Sequence, residues 1–349
     1  MDVQQDLYEL VRAMPKIELH RHLEGSVRLE TLIDIARDFG MEMPEYHPEV
    51  LRPFVQMMPD EPRTWQNFLA KFRVLRQFFL SPNVIRRITR EVIEDAARDN
   101  VKYMELRFTP RALCNSMKAT PEEVVRWVCE TAHITAEACN IQVRLIVSMN
   151  RHESVEVGEQ VTKAAISHMH MGVVGIDLAG IESDYTAYPF RHVFQMGRAA
   201  GLHVTLHAGE WQGADSVWDA ISNIGAERLG HGIRSIEDGG VVNVLLDRNV
   251  TLEVCPSSNV DSGVVKNMAS HQLPILVASG LLVTINTDDP LVSGISLTDE
   301  LMRVLQYLPF TIDDIKQFML NAARASFLDD SERRVLVAQF EEWLKIESN

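Results

Sequence analysis

Short runs of apolar, often β-branched residues recur along the chain, and stretches with helical spacing of their apolar positions lie between them. The runs are apolar enough to be buried on both faces, which is typical of a parallel sheet covered by helices. Strands are predicted at residues 16–20, 101–108, 141–149, 173–179, 203–208, 227–231, 250–255 and 281–287. These eight α/β units predict a single closed (β/α)8 TIM-type barrel rather than an open sheet.

Helix start signals support this division of the chain. Ser81 is an N-cap residue followed by Pro82 at the first helical position, and Thr120 with Glu123 has the spacing of a capping box. Both predict helices that begin where a strand connection requires one.

Two segments exceed a minimal barrel and predict additional helices after strand 1 and at the C-terminus. Residues 41–80 are rich in Met and Pro and carry Trp65, Phe68 and Phe72. Two interpretations stay open for this segment: a helical layer packed on the side of the barrel, or a lid over the pocket, since inserted loops lie at the catalytic face. The tail beyond Ser296 is expected to form two or more helices.

Composition and charge narrow the class of protein. The chain has 349 residues, 46% of them hydrophobic, and is expected to form one barrel domain over residues 1–349. The net charge of −15 argues against a nucleic-acid partner. No apolar run reaches the ~18 residues of a membrane span, so no membrane partner is expected. Scattered cysteines and the absence of a signal sequence predict a cytoplasmic protein, and the oligomeric state stays open.

Polar residues collect at the carboxyl ends of the predicted strands, where barrel enzymes build their active sites. His20 and His22 end the first strand and, two residues apart in extended backbone, point to the same side. His207 and Asp288 follow the fifth and eighth strands. Three imidazoles and one carboxylate suit Zn²⁺ and leave a position for water, so one zinc ion per chain is predicted.

A second pair of histidines with the same spacing provides an internal comparison. His168 and His170 lie at the end of a predicted helix, where residues two apart diverge by roughly 200°. We therefore expect them to be packing or surface residues. Arg21 should point away from the metal and is given no catalytic role.

Four further residues are candidates for acid–base chemistry or substrate binding. Zinc lowers the pKa of bound water to about 7, and Glu210, three residues after His207, is placed to shuttle a proton. The alternative for Glu210 is an acidic residue in a first helical turn. His231 is interpreted either as orienting the attacking hydroxide or as a core residue. Asp289 is interpreted either as a substrate-binding residue or as a turn residue before Pro290. Glu24 is expected to contact the far end of the substrate.

Seven motifs resemble, in the same order along the chain, those of the adenosine deaminase branch of the metal-dependent amidohydrolases. They are PKIELHRHLEG (15–25), MELRFTP (104–110), GIDLAG (175–180), HAGE (207–210), RLGHG (228–232), EVCPSSN (253–259) and INTDDP (285–290). The resemblance implies a zinc-dependent hydrolytic deaminase. Its metal ligands would be His20, His22, His207 and Asp288.

The resemblance also implies a role for each remaining candidate. Glu210 would transfer a proton to the purine N1, and His231 would lie beside the attacking hydroxide. Asp289 would contact N7, and the backbone at Gly180 would contact N3. The expected substrate-binding residues are His22, Glu24, Gly180 and Asp289. The implied reaction is attack at C6, a tetrahedral intermediate, and loss of ammonia to leave a 6-oxopurine.

Two positions depart from the family pattern on the sugar side. Glu24 stands where members often carry Asp, at a position linked to the ribose 5′ hydroxyl, and Ile181 stands where they usually carry Asp. Adenine deaminases also carry Glu at the first position but lack the ELRFTP and DLAG forms, which favours a nucleoside. Adenosine or 2′-deoxyadenosine is therefore the predicted substrate. Free adenine and 5′-modified adenosines such as aminodeoxyfutalosine remain alternatives.

Functions other than purine deamination fit the sequence less well. Amidohydrolases with two metals commonly bridge them with a side chain at strand 4, where this chain has Gly180. A non-catalytic protein that keeps the fold has no need for so many polar groups at one face of the barrel.

Overall fold

The computed structural model describes residues 3–345, and its centre is a barrel of eight parallel strands in sequential order. The strands are β1 (Lys16–His22), β2 (Val101–Phe108), β3 (Gln142–Asn150), β4 (Val173–Ala179), β5 (His203–Ala208), β6 (Arg228–His231), β7 (Thr251–Val254) and β8 (Leu282–Ile285). Every predicted strand is present, and the predicted (β/α)8 barrel is confirmed.

Helices connect successive strands, and further helices precede β1 and follow β8. The α-helices are α1 (Val3–Ala13), α2 (Leu29–Asp38), α3 (Pro48–Val55), α4 (Trp65–Leu75), α5 (Pro82–Arg98), α6 (Pro110–Leu113), α7 (Pro121–Cys139), α8 (Val155–Ser167), α9 (Arg191–Ala199), α10 (Ala214–Asp219), α11 (Gly239–Asp247), α12 (Pro256–Asp261), α13 (Leu273–Ala278), α14 (Pro290–Ser293), α15 (Leu297–Tyr307), α16 (Ile312–Ala325) and α17 (Asp330–Leu344). Shorter 3₁₀ or π turns lie at Arg76–Phe78, Met169–Met171, Tyr188–Phe190, Ala220–Ile224, Ser235–Glu237 and Met268–Ser270.

The predicted helix starts are found where the capping residues placed them. Ser81 accepts the backbone N–H of Val84 at the start of α5, and Thr120 forms a reciprocal capping box with Glu123 at the start of α7. The insertion after β1 contains α3 and α4, and the tail contains α15, α16 and α17. Among residues 3–345, no helix has the length and apolarity that a bilayer crossing requires.

The barrel closes between β8 and β1 through side chains as well as backbone. The side-chain oxygen of Asn286 accepts the backbone N–H groups of Leu19 (2.8 Å) and His20 (3.2 Å). The backbone N–H of Asp288 donates to the carbonyl of His20 (3.0 Å), and that of His22 donates to the carbonyl of Asp288 (2.8 Å). This closure explains why β8 is shorter than predicted, and it places Asp288 directly beside the two histidines of β1.

The interior of the barrel holds a network of fully buried charges. The Arg228 guanidinium donates to Glu253 (2.7 Å) and to Glu105, and Arg107 donates to the other oxygen of Glu253 (2.5 Å). A buried charge is tolerated only when it is paired and hydrogen-bonded, as these groups are. The network fixes Glu253, whose other contacts belong to the site described next.

Candidate active site

Five of the predicted metal-site and catalytic residues converge at the carboxyl end of the barrel, and all five are buried. Asp288 Oδ1 lies 3.2 Å from His20 Nε2 and 3.3 Å from His22 Nε2. His22 Nε2 lies 3.2 Å from His207 Nε2. His231 Nε2 lies 3.8 Å from the second oxygen of Asp288. The sequence motifs from β1, β5, β6 and β8 thus meet at one point.

Two carboxylates behind the site determine which ring nitrogen of the histidines carries the proton. Glu253 lies 2.8 Å from Nδ1 of His20, and Asp177 lies 3.0 Å from Nδ1 of His207. Burial alone would raise the pKa of Glu253, but Arg107 and Arg228 hold it well below its ordinary value. An ionised carboxylate only accepts, so each Nδ1 is the donor and each Nε2 presents a lone pair to the site.

This arrangement of lone pairs fits a divalent metal ion. Nε2 of His20 is buried and has no hydrogen-bond partner, although it faces Asp288 Oδ1. Burial and the charge of Arg107 lower the pKa of His20, but the carboxylates of Asp288 and Glu253 outweigh them and raise it, so this part of the site attracts positive charge. Burial also drives the pKa of His22 well below its ordinary value, which leaves a neutral ring suited to coordination.

The structure offers His231 as a geometric alternative to His22 in the ligand set. Ligand atoms of His20, His207, His231 and Asp288 all lie within 4.8 Å of one another. Whether His22 or His231 is the better metal ligand depends on which ring nitrogen of His231 carries the proton. The hydrogen bonds around His231 indicate that nitrogen.

A chain of hydrogen bonds leads to His231 from the far side of the site. Nδ1 of His271 accepts the backbone N–H of Leu273 (2.9 Å), and burial lowers the pKa of His271 to about 4, so its proton is on Nε2. That Nε2–H donates to the side-chain oxygen of Asn259 (3.2 Å), which orients the amide. The amide nitrogen of Asn259 then donates to Nδ1 of His231 (3.0 Å).

His231 consequently presents an N–H to the site. Burial drives its pKa well below the ordinary value, so the ring is neutral, and with Nδ1 accepting, the proton is on Nε2. This nitrogen lies 3.4 Å from Glu210 Oε2. An Nε2 that carries a proton has no lone pair for a metal, so this tautomer favours His22 over His231 as a metal ligand and makes His231 a hydrogen-bond donor.

Glu210 is a buried carboxyl group whose surroundings favour its protonated form. Burial raises its pKa well above the ordinary value, and the charges of Asp288 and Glu182 raise it further. Ser262 lies 3.4 Å from its Oε1. A group in this state is able to donate a proton to a bound molecule and take it back.

The loop that carries Glu210 is held by Glu182, which the sequence analysis missed. The buried carboxylate of Glu182 accepts four consecutive backbone N–H groups, those of Gly209 (2.5 Å), Glu210 (3.0 Å), Trp211 (2.8 Å) and Gln212 (3.0 Å). Four such bonds fix the conformation of this loop and the direction of the Glu210 side chain.

Asp289 and Glu24 leave hydrogen-bonding atoms unfilled in the cavity. Asp289 Oδ1 and Glu24 Oε2 are buried without a partner, although Glu24 Oε1 accepts the backbone N–H of Thr109 (2.9 Å). Burial and the neighbouring charge of Asp288 raise the pKa of Asp289 well above its ordinary value. A Cβ at Gly25 would lie 1.8 Å from Asp289 Oδ1, so this close approach requires glycine.

These residues form the floor of a cavity of about 300 Å³. Its wall includes Trp65, Phe68 and Phe72 from the segment 41–80, together with Trp211, whose ring centroid lies 6.2 Å from that of Trp65. The segment therefore lies over the pocket, where the lid interpretation places it, and its movement with ligand stays a prediction. Gly180, with a φ of 101°, and Ile181 line the cavity beyond β4.

The residues that were given no catalytic role lie elsewhere. His168 caps the end of α8, is buried, and its Nδ1 lies 2.9 Å from the carbonyl of Ala164. Arg21 donates to Ser26 (3.2 Å) and lies 3.3 Å from Glu18. Neither side chain lines the cavity.

Comparison with known proteins assigns the family. The sequence model of the adenosine deaminase family matches residues 15–343. Adenosine deaminase of Klebsiella pneumoniae is 33% identical over 93% of this chain and 97% of its own length, and that of Salmonella typhimurium is 33% identical over 93% and 96%.

Solved structures of deaminases share the fold over nearly the whole chain. Adenine deaminase of Arthrobacter aurescens is 30% identical with a TM-score of 0.87, covering 95% of this chain and 100% of that chain. The N6-mAMP deaminase of Arabidopsis is 27% identical with a TM-score of 0.85, covering 96% and 99%. The chain belongs to the adenosine deaminase family and is a hydrolytic deaminase.

Proposed function

We propose that the protein removes the 6-amino group of adenosine or 2′-deoxyadenosine by hydrolysis, releasing ammonia and a 6-oxopurine. The observation that carries this proposal is the meeting of His20, His22, His207 and Asp288 beside the buried carboxyl group of Glu210 at the floor of a purine-sized cavity. The names of the curated relatives support the choice of adenosine.

One zinc ion per chain is the proposed cofactor. Three imidazole nitrogens and one carboxylate oxygen are a donor set that Zn²⁺ accepts, and thiolates are not needed. When bound, zinc supplies hydroxide at neutral pH by lowering the pKa of water. Gly180 has no side chain with which to bridge a second metal at the end of β4.

The chain's own residues supply the proton transfers and the positioning. Glu210, protonated in its buried position, donates to N1 of the purine, which draws electrons away from C6. The Nε2–H of His231 orients the attacking oxygen. Protonated Asp289 donates to N7, and the backbone at Gly180 contacts N3. The aromatic wall formed by Trp65, Phe68 and Phe72 limits access of bulk water.

Free adenine is the second candidate substrate. Glu24 is one methylene longer than the Asp that family members often carry, and its unpartnered Oε2 adds a buried acceptor on the sugar side of the cavity. The Arthrobacter relative, a named adenine deaminase, keeps this alternative open.

The test is the ultraviolet spectrum of zinc-loaded enzyme with adenosine, 2′-deoxyadenosine and adenine in parallel. We expect conversion of both nucleosides to their 6-oxopurine products and no change in adenine. The variant Glu210→Gln should lose activity by a factor of about 10²–10⁴ while retaining zinc. Glu122→Gln, an exposed position on α7, is the control and should behave as wild type. Turnover of adenine alone would contradict the nucleoside assignment.

A further inference from the structure

We propose that the outer part of this cavity binds an anionic group attached to the 5′ side of the nucleoside, so that the preferred substrate carries a phosphate or a carboxylate there. The inference rests on the proposed deamination and concerns the part of the substrate that does not react. Its basis is a pair of arginines, Arg73 and Arg76, which line the cavity.

The two arginines lie together at the end of the segment that covers the cavity. Arg73 is in the last turn of α4 and is exposed, and Arg76 follows three residues later and is half-buried. Residues three apart on helical backbone share a face, so both guanidinium groups are available to one ligand. A pair of arginines binds phosphate and carboxylate groups through paired N–H donors.

Neither arginine has a partner for its charge within the described residues 3–345. No carboxylate lies within 4.0 Å of either guanidinium, and neither guanidinium donates a hydrogen bond to another group of this part of the chain. Other cations of the same segment are paired: Lys71 Nζ lies 2.7 Å from Glu61, and Arg63 pairs with Asp261. The arginines of this segment that lack an ion pair are thus the two that line the cavity.

Arg76 in particular has a donor that a ligand would satisfy. Its Nε is buried and has no hydrogen-bond partner, and its guanidinium lies 5.9 Å from the ring centroid of Phe72. A buried donor without an acceptor is unfavourable, and an anionic oxygen would satisfy it. Packing against the Phe72 ring also holds the group in place.

The distribution of charge within the cavity favours one orientation of a bound substrate. Carboxyl groups of Glu24, Glu210 and Asp289 lie among the residues of the floor, where the purine and sugar would bind. Arg73 and Arg76 provide positive charge on the covering segment, although the chain as a whole has a net charge of −15. An anion is therefore favoured beside the arginines and disfavoured among the carboxyl groups.

The residue after Gly180 is also compatible with an anionic group bound beside the arginines. Ile181 lines the cavity at a position where the family resemblance leads one to expect Asp. An apolar residue there removes a negative charge from the sugar side. The loss of that charge lowers the electrostatic cost of bringing an anionic substituent past the sugar site to the arginines.

The experiment compares kcat/KM for four compounds: adenosine, adenosine 5′-monophosphate, adenosine-5′-carboxylic acid and the neutral 5′-deoxy-5′-methylthioadenosine. Zinc-loaded enzyme is assayed at low ionic strength, where unscreened charges contribute most. We expect at least one anionic compound to exceed both neutral compounds by about tenfold or more, the effect of one charged hydrogen bond. A preference for the phosphate or for the carboxylate identifies the anion.

Variants connect the preference to the two arginines. Arg73→Gln with Arg76→Gln should reduce the anionic-to-neutral ratio of kcat/KM by about tenfold or more. Arg111→Gln, an exposed arginine on α6 that does not line the cavity, should leave the ratio unchanged. An equal or greater kcat/KM for the neutral compounds, or a ratio that the double variant does not alter, would overturn the proposal.

Binding of products separates this inference from the proposed deamination. Calorimetry with inosine and inosine 5′-monophosphate measures the affinity of the outer site without any turnover. Tighter binding of the monophosphate by wild type, lost in the double variant, supports the anion site even when no compound is deaminated. If adenosine is deaminated but no anionic ligand binds or reacts better than its neutral counterpart, the anion site is excluded and the proposed function stands.

Discussion

At the scale of the residue, the chemistry of each site histidine depends on the neighbour that holds its Nδ1. Glu253 and Asp177 accept from His20 and His207, which leaves the opposite nitrogens with lone pairs for the proposed metal ion. Asn259 instead donates to His231, and the opposite nitrogen carries a proton. In the proposed mechanism, histidine therefore serves both as metal ligand and as hydrogen-bond donor within a single site.

Asn259 provides a direct test of this assignment. Asn259→Asp replaces a donor with an acceptor, so His231 should move its proton to Nδ1 and lose the N–H that faces the substrate. We expect kcat to fall by about 10- to 100-fold with zinc content unchanged. Asn259→Leu, which removes the donor without adding an acceptor, should have a smaller effect. The ¹⁵N chemical shifts of the His231 ring report the tautomer, and an unchanged tautomer in Asn259→Asp would contradict the assignment.

The site residues that could be predicted from the sequence are those whose position in a strand indicates where their side chains point. His20 and His22 are recognisable because two histidines at the end of a strand share one side. Asp177 and Glu253 lie within the GIDLAG and EVCPSSN motifs, but a polar residue inside a strand does not reveal its partner. The role of Glu182 could not be predicted from the sequence, because its contacts join the loops after β4 and β5, which come together only in the folded barrel.

At the scale of the element, the loop of residues 209–212 depends on one carboxylate. Replacing Glu182 with Ala leaves four backbone N–H groups without their acceptor. We expect the free energy of unfolding to fall by about 3 kcal/mol, since unsatisfied buried donors are unfavourable. We also expect kcat to fall because Glu210 loses its position.

Urea denaturation and steady-state kinetics measure the two effects of Glu182→Ala. Glu182→Gln keeps one acceptor oxygen and should be intermediate in both. Glu153→Ala, a half-buried acid that accepts the backbone N–H of Asn150, is the matched control for loss of a loop contact. Wild-type stability and turnover in Glu182→Ala would show that the loop does not depend on this carboxylate.

The segment that contains α4 is the element most open to movement. Its Trp65 lies against Trp211 and both line the cavity, so closure over a ligand should change their environment. We expect the emission that is lost in Trp65→Phe to shift when a nucleoside binds, and we expect ligand to protect residues 41–80 from proteolysis. Indifference of both signals to ligand would leave the segment as a static wall.

At the scale of the whole molecule, the barrel was predictable because its strands are buried on both faces and stand out as apolar runs between helices. The contacts that close the barrel between β8 and β1 were harder to predict from the sequence. Asn286 joins β8 to β1 with its side chain, and Asp288 does so with its backbone while its carboxylate faces the histidines. A prediction from apolar runs extends β8 through these residues, because it does not distinguish a strand from the polar closure that follows it.

In the proposed mechanism, deamination depends on one metal ion held where the ends of the barrel strands meet. The most direct measurement is the stepwise return of zinc to chelator-treated enzyme, with adenosine turnover and bound zinc determined at each step. We predict that activity rises in proportion to bound zinc and reaches its maximum at one ion per chain, and that His207→Ala binds none tightly. Full activity without zinc, or a maximum reached only at two ions per chain, would contradict a mechanism that uses a single zinc ion.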